Sequence, residues 1–163
     1  MLDVIVVGGG HAGIEAALIA ARLGCETALI SLSLENIGKM PCNPSVGGPA
    51  KGIVVREIDA LGGQMGITAD QTALQFKMLN TTKGPGVQSL RVQSDKLAYA
   101  RCMQEEIQRQ EQLRLILGIC TGILVENGKI TGITMEDGQI LEARAVILTT
   151  GTYMSSSVMI SSE

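Results

Sequence analysis

The sequence predicts an α/β protein in which helices pack on a parallel sheet and a β-meander follows, and three observations predict it. A β-branched apolar run over 2–7 ends at three glycines and is typical of a strand buried on both faces. Apolar residues at helical spacing over 12–23, followed by a second apolar run over 27–30, complete a βαβ unit. The last third alternates apolar and polar residues and carries the turn pairs Asn127-Gly128 and Asp137-Gly138.

The βαβ unit at 2–31 is followed by a loop and inserted segment at 32–93. Glycine and proline punctuate 41–49 and predict an irregular chain there. Pro49 suits the first turn of a helix, which we expect to run to about Leu61 before two glycines. A strand is expected over 73–79.

A helix plus β-meander is expected at 94–143, and a returning strand at 145–151. Ser94 is the predicted N-cap of a helix that runs to about Gln110. Its apolar face is predicted to comprise Leu97, Ala100, Met103 and Ile107. Alternating leucines over 113–117 are expected to open the meander, and residues 139–143 to close it.

Composition excludes several classes of protein. The chain has 163 residues, 45% of them hydrophobic and 18% charged, which excludes an intrinsically disordered chain. Aromatic residues make up 2%, which disfavours a module that stacks nucleic-acid bases on aromatic rings. Four cysteines without CxxC spacing and a single histidine predict no metal site. No signal peptide and no apolar run of about 18 residues is found, so we expect a cytoplasmic protein outside the membrane.

Charge is unevenly distributed along the chain. The net charge is −3, yet residues 51–101 hold seven basic and four acidic residues. Within this window, Lys83, Arg91 and Lys96 are candidate contacts to RNA phosphates. Ordinary scatter of surface charge is the competing interpretation.

The segment from Gly8 to Gly13, GGGHAG, fits the GxGxxG pattern in its required place between a strand and a helix. Gly8 would permit the tight turn, Gly10 would let the backbone approach a pyrophosphate, and Gly13 would let the helix pack close to the strand. Gly9, His11 and Ala12 complete the loop, whose N–H groups and helix dipole would face the phosphates.

Ribose recognition departs from the usual pattern. An acidic residue commonly ends the second strand and binds the ribose hydroxyls, but the expected position holds Ser31. Ser31 could donate one weaker hydrogen bond, and Glu35 lies four residues later. A β-meander before a buried strand ending Thr149-Thr150-Gly151 resembles the Rossmann-like FAD domain of flavoproteins that bind two dinucleotides.

Cys42 lies in the segment MPCNPSVGG at 40–48, on the side of the sheet where ligands of open α/β sheets bind. Nearby Lys51 and a helix start could lower a thiol pKa, and a small buried thiol is the equal alternative. His11 most simply follows the phosphate loop as a helix residue, with proton transfer as the minor alternative.

The chain resembles the N-terminal part of the glucose-inhibited division protein A family. The resemblance rests on GGGHAG at 8–13, MPCNPSVGG at 40–48, KGIVVREIDALGG at 51–63, LQFKMLNTTKGPGVQSLRVQSDK at 74–96 and ILTTGT at 147–152. It implies a tRNA-modifying flavoprotein that adds a carboxymethylaminomethyl or aminomethyl group to C5 of the wobble uridine. It also implies FAD as cofactor, NADH as reductant and a methylene-folate as one-carbon donor.

The resemblance further implies partners and site residues. The partners would be tRNA, a GTPase of the MnmE type bound through a C-terminal region that this chain lacks, and a second copy in a homodimer. Cys42 would be the catalytic thiol, Gly8 to Gly13 would hold the FAD pyrophosphate, and Cys120 would contact the adenine end. Since family members are much longer, the FAD-binding domain is expected to be incomplete and inactive alone. A general FAD-dependent oxidoreductase acting on a small molecule, or a non-catalytic nucleotide-binding module, remain alternatives.

Overall fold

The computed structural model describes residues 1–152 and 154. Its strands are β1 (Leu2–Val7), β2 (Thr27–Ser31), β3 (Ser45–Gly47), β4 (Ala73–Leu79), β5 (Ser89–Ser94), β6 (Leu113–Leu117), β7 (Cys120–Glu126), β8 (Lys129–Met135) and β9 (Ile140–Leu148). Its α-helices are α1 (His11–Arg22), α2 (Lys51–Ala60), α3 (Met65–Gln71) and α4 (Lys96–Arg109). Two short 3₁₀ turns lie at Leu34–Asn36 and Pro85–Val87. None of these helices is long and apolar enough to cross a bilayer.

The main sheet has six strands in the order β6-β2-β1-β9-β8-β7. Strand β1 runs parallel to β2 and β9, and β2 runs parallel to β6. Ile5, Val6 and Leu29 in these central strands are completely buried because helices cover one face and apolar side chains fill the other. The predicted α/β fold is therefore confirmed.

Strand β9 joins two elements that the sequence predicts as separate. Its first residues pair antiparallel with β8, and from Ala143 onward it pairs parallel with β1, up to Val7 opposite Leu148. Between 139–143 and 145–151 the chain has no glycine or proline to break the strand, so one strand serves both pairings. The prediction that the leucines of 113–117 open the meander is also wrong. Strand β6 is a parallel edge strand beside β2 and is not part of the meander.

The segment between β2 and α4 forms a second layer that the sequence describes only in part. Strands β3, β5 and β4 make a small antiparallel sheet. The predicted strand at 73–79 is confirmed, and the predicted helix begins at Lys51, two residues after Pro49. Strands β3 and β5 and helix α3 are not predicted from the sequence.

Helix α3 depends on a tertiary contact for its start. The Glu15 carboxylate on α1 accepts the backbone N–H of Gln64 at 2.9 Å and that of Met65 at 2.6 Å. Arg22, two turns further along α1, donates to the Gly62 carbonyl and to the Gln64 side chain, each at 2.6 Å. These partners lie 40 or more positions apart in the chain, so no local pattern could reveal them.

The capping prediction for α4 is wrong by one residue. The Asp95 carboxylate accepts the N–H groups of Leu97 and Ala98, each at 2.9 Å, whereas Ser94 ends β5. The predicted apolar face is shifted as well: Leu97 is 75% exposed, while Tyr99 is completely buried with Met103 and Ile107. The helix buries every fourth residue from 99, and this stripe packs in one core cluster with Ile14 and Leu18 of α1.

We expect Asp95→Ala to lower the free energy of unfolding by about 1 kcal/mol, since two N–H groups lose their acceptor. Ser94→Ala is the matched control: within residues 1–152 its buried hydroxyl has no partner, so removing it should be neutral or stabilising. Urea unfolding of both variants measures this. The opposite order, with Ser94→Ala the more damaging, would contradict the assignment of the cap.

Candidate functional site

The glycine loop between β1 and α1 is held by close backbone contacts. Gly8 has φ +119°, a left-handed value that a side chain would strain, and a Cβ there would collide with Thr149. A Cβ on Gly13 would collide with the Gly8 carbonyl and lie 2.6 Å from the Thr149 hydroxyl oxygen. A Cβ on Gly10, by contrast, would meet nothing within 4 Å. The turn and packing positions are therefore filled by protein, and the space beside Gly10 is open.

Helix α1 begins at this open space without a protein cap. Gly10 is the N-cap residue, no side chain caps the helix, and its first turn holds no acidic residue. The first N–H groups of a helix lack intrahelical partners, and the helix dipole adds partial positive charge there. This arrangement favours a bound anion such as a phosphate group.

Ser31 lies directly under the loop and does not have a free hydroxyl proton. It is buried, and its Oγ donates to the Ser33 carbonyl at 3.0 Å. A Cβ on Gly9 would lie 2.6 Å from this Oγ, so the loop and the serine side chain pack closely against each other. Donation from Ser31 to a ribose would require loss of the bond to Ser33.

Glu35 supplies a charged acceptor at the same edge of the sheet. Its side chain is exposed, and a hydrogen bond from the Ser33 hydroxyl lowers the pKa of its carboxyl. The carboxylate is therefore ionised at neutral pH and can accept hydrogen bonds from hydroxyl groups.

Cys120 is brought to this edge by its neighbours in the chain. The Gly118 N–H donates to the Ser31 carbonyl at 2.8 Å, which places the start of β7 beside the end of β2. The Cys120 thiol itself is half-buried and lies 3.6 Å from the Gly122 carbonyl, which it can reach as a donor. Contact with a ligand here would come from the backbone of 118–120.

Thr149 is the contact that sequence reasoning missed. It follows β9, next to β1, and its hydroxyl donates to the carbonyls of Val7 at 3.0 Å and Gly8 at 3.1 Å. A hydroxyl residue at the carboxyl end of the strand beside the glycine loop is the sequence signal that could have indicated it.

A cavity of about 500 Å³ adjoins the loop on the side of the second layer. Its volume falls in the range of small-molecule sites. Cys42 is exposed in its wall, beside Asn43 and Ser45, and His11 lines it from the start of α1. Most of the remaining wall is apolar and comprises Met40, Pro41, Val46, Val54, Val55, Ile58 and Met65. His11 is therefore the residue through which the segment 8–13 borders the same cavity as Cys42.

The half-buried His11 and the buried Tyr99 form an aromatic pair beside the cavity. Their ring centroids are 5.6 Å apart, and within residues 1–152 neither His11 Nε2 nor the Tyr99 hydroxyl has a hydrogen-bond partner. Burial lowers the pKa of His11, and the nearby Glu15 carboxylate partly opposes this. Burial also raises the pKa of Tyr99. Both side chains are therefore neutral at physiological pH.

The three candidate RNA contacts lie on different elements. Lys83 is exposed in the loop between β4 and β5, Arg91 is half-buried in β5, and Lys96 begins α4. Arg91 stands directly opposite Lys77 in the β4–β5 ladder.

Across the described part of the chain, no cluster of histidine, cysteine and carboxylate side chains could hold a metal ion.

The chain is similar to known proteins in both sequence and structure. A family model described as "Glucose inhibited division protein A" matches residues 3–163. Over 96% of this chain, the sequence is 61% identical to the tRNA uridine 5-carboxymethylaminomethyl modification enzyme MnmG of Mycoplasma capricolum. It is 53% identical to GidA of Aquifex aeolicus, whose solved structure superposes with a TM-score of 0.90 over 93% of this chain. In both cases the chain spans only 25% of the relative's length.

More distant structures share the fold alone. A probable FAD-dependent monooxygenase from Pseudomonas aeruginosa, PqsL, is 15% identical with a TM-score of 0.61 over 89% of this chain and 41% of its own. The GidA-related protein of Thermus thermophilus is 19% identical with a TM-score of 0.60, over 93% of this chain and 53% of its own. These structures agree with the α/β architecture described above.

The burial of His11 predicts a pH dependence of stability. Its pKa lies below the ordinary value of 6.5 in the folded chain, so the unfolded chain binds more protons at acidic pH. This contribution is fully present above about 6.5 and is lost as the pH falls through the folded pKa. We expect His11→Gln to flatten this part of the profile in urea unfolding between about pH 5 and 8.

The control for this pH dependence is the titration of His11 itself. It is the only histidine in the chain, so its imidazole C2–H resonance can be followed in proton NMR without overlap from another histidine. A midpoint above 6.5, or an unchanged slope in His11→Gln, would contradict the burial argument.

Proposed function

Since the chain belongs to the glucose inhibited division protein A family, we propose that it is the FAD-binding portion of a tRNA-modifying flavoprotein. The whole protein would add a carboxymethylaminomethyl or aminomethyl group at C5 of the wobble uridine. The chain spans a quarter of its relatives, so this activity is proposed for the full-length protein.

The observation that carries the FAD proposal is the open space beside Gly10, at the uncapped start of α1. A dinucleotide pyrophosphate fits this space because the glycine at that position leaves it free and the helix amides supply donors. The amides of residues 9–13 would hold the phosphates, Glu35 the ribose hydroxyls, and the backbone of 118–120 the adenine end. When bound, FAD supplies the two-electron chemistry of the reaction.

The other reactants and partners belong to the full-length protein. We propose NADH as reductant, a methylene-folate as one-carbon donor and a GTPase partner of the MnmE type that binds outside this chain. We also propose that the full-length protein is a homodimer in the cytoplasm.

The basic residues support the tRNA part of the proposal through one specific contact. Lys77 and Arg91 face each other across β4 and β5, and like charges directly opposite destabilise a ladder. Neither forms an ion pair with a carboxylate in the described residues. A phosphate group would relieve this repulsion, which makes Arg91, with Lys83 and Lys96 nearby in sequence, suited to an RNA backbone.

Cys42 is the proposed catalytic thiol because it is exposed in the cavity wall. A nucleophilic thiol has to reach the substrate, and the three other cysteines are at least partly covered. Asn43 and Ser45 offer hydrogen bonds beside it. The second candidate function, an FAD-dependent oxidoreductase of a small molecule, is favoured only by the apolar lining of the same cavity.

We expect Gly10→Val to lower FAD affinity by at least about tenfold, because the branched side chain would occupy the phosphate space. The fold should persist, since nothing lies within 4 Å of the new Cβ and the residue has φ −76°. Flavin absorbance after gel filtration and fluorescence titration measure the effect.

Gly84→Val is the matched control, as another open glycine with an ordinary φ of −58°. It should bind FAD like the wild type. Equal flavin retention by Gly10→Val and the wild type would show that the loop does not hold the cofactor.

We expect Cys42→Ser in the full-length protein to abolish wobble-uridine modification while FAD stays bound. The hydroxyl is nearly isosteric with the thiol but is a far poorer nucleophile at neutral pH. Mass spectrometry of nucleosides from the treated tRNA measures the product.

Cys25→Ser, a half-buried thiol outside the cavity, is the control and should keep activity. Normal modification by Cys42→Ser would remove the thiol from the mechanism. A wild type that modifies no tRNA but oxidises a small molecule would favour the second candidate function.

A further inference from the structure

We propose that Thr149 is a positioning residue that fixes the orientation of the pyrophosphate-binding loop through its hydroxyl group. The inference rests on the proposed FAD-binding function and adds a residue outside the glycine motif. It follows from the contacts of Thr149 and from the geometry of the peptide bonds that it touches.

The hydroxyl is an addition to the strand pairing and not a part of it. The backbone N–H of Thr149 already donates to the Val7 carbonyl at 2.8 Å, which extends the parallel β1–β9 pairing by one residue. The single hydroxyl proton is shared between the same carbonyl, at 3.0 Å, and that of Gly8, at 3.1 Å. A valine would preserve the backbone bond and the shape, but it would leave the Gly8 carbonyl without this donor.

Fixing the Gly8 carbonyl also fixes the next amide. In a trans peptide the C=O and the following N–H point in opposite directions. Because the Gly8 carbonyl points toward Thr149, the Gly9 N–H points away from it, to the other side of the loop. Within residues 1–152 that N–H has no protein acceptor among the hydrogen bonds of the loop.

The next peptide is oriented in the same way by a different partner. The Gly9 carbonyl accepts the Gly38 N–H at 3.2 Å, so the Gly10 N–H points away from Gly38. The two consecutive amides that would bind phosphate are thus set from both flanks, by Gly38 on one side and Thr149 on the other. Gly8, with its left-handed φ, has the freedom to rotate unless Thr149 holds it.

The test compares Thr149→Val, Thr149→Ala and Thr149→Ser in the full-length protein by fluorescence titration with FAD. We expect the valine and alanine variants to raise the Kd by about tenfold, the effect of losing one hydrogen-bond donor. The serine variant keeps the hydroxyl and should stay within about threefold of the wild type. Alanine is measured beside valine so that one misfolded variant does not decide the result.

Thr27→Val is the matched control for a structural effect. Thr27 is fully buried at the opposite end of the same sheet, and its hydroxyl also donates to a carbonyl, that of Cys25, at 3.0 Å. It should lower the thermal stability without changing the Kd for FAD. Equal weakening by Thr27→Val, or wild-type affinity in both hydroxyl-free Thr149 variants, would overturn the proposal.

The wild type separates this inference from the function on which it rests. A wild type that binds no FAD overturns both. A wild type that binds FAD, with Thr149→Val unaffected, overturns only the role of Thr149.

Discussion

The arrangement of the molecule depends on the close approach of three backbones where β1, α1 and the end of β9 meet. Gly8 and Gly13 allow this approach because glycine has no Cβ, and a Cβ at either position would collide with neighbouring backbone. Strand β1 can then lie at the centre of the sheet and α1 can cross it closely enough to bury Ile14 and Leu18. The same approach leaves the start of α1 open toward solvent beside Gly10. The packing and the proposed anion site therefore have one origin.

The second layer depends on α1 through polar contacts. Glu15 and Arg22 hold the chain at 62–65, and that segment leads into α3. Since Met65 lines the cavity that contains Cys42, α1 positions part of the cavity wall as well as the glycine loop. Helix α1 thus carries the proposed pyrophosphate site at its start and positions part of the cavity that Cys42 lines.

Sequence patterns predicted the elements whose signals are local. The strand at 2–7 matched the structure to the residue and the helix after it to within one, because β-branched runs, helical spacing and glycine stops each act over a few residues. The start of α4 was missed by one residue, because Ser94 and Asp95 are both good caps and only the end of β5 decides between them. Helix α3 was missed because Glu15, far away in the chain, completes its first turn.

In the candidate site, too, residues with a local sequence signal were predicted and residues that depend on long-range contacts were not. The glycine loop was visible because the GxGxxG spacing between a strand and a helix is a local pattern. Thr149 was not, because its contacts at 3.0 and 3.1 Å join residues 141 or more positions apart. The segment at 118–120 likewise approaches Ser31 only once β2 and β6 lie side by side. Motif residues that bind through their own backbone can be read from sequence, whereas residues that orient them have to be found from the sheet topology.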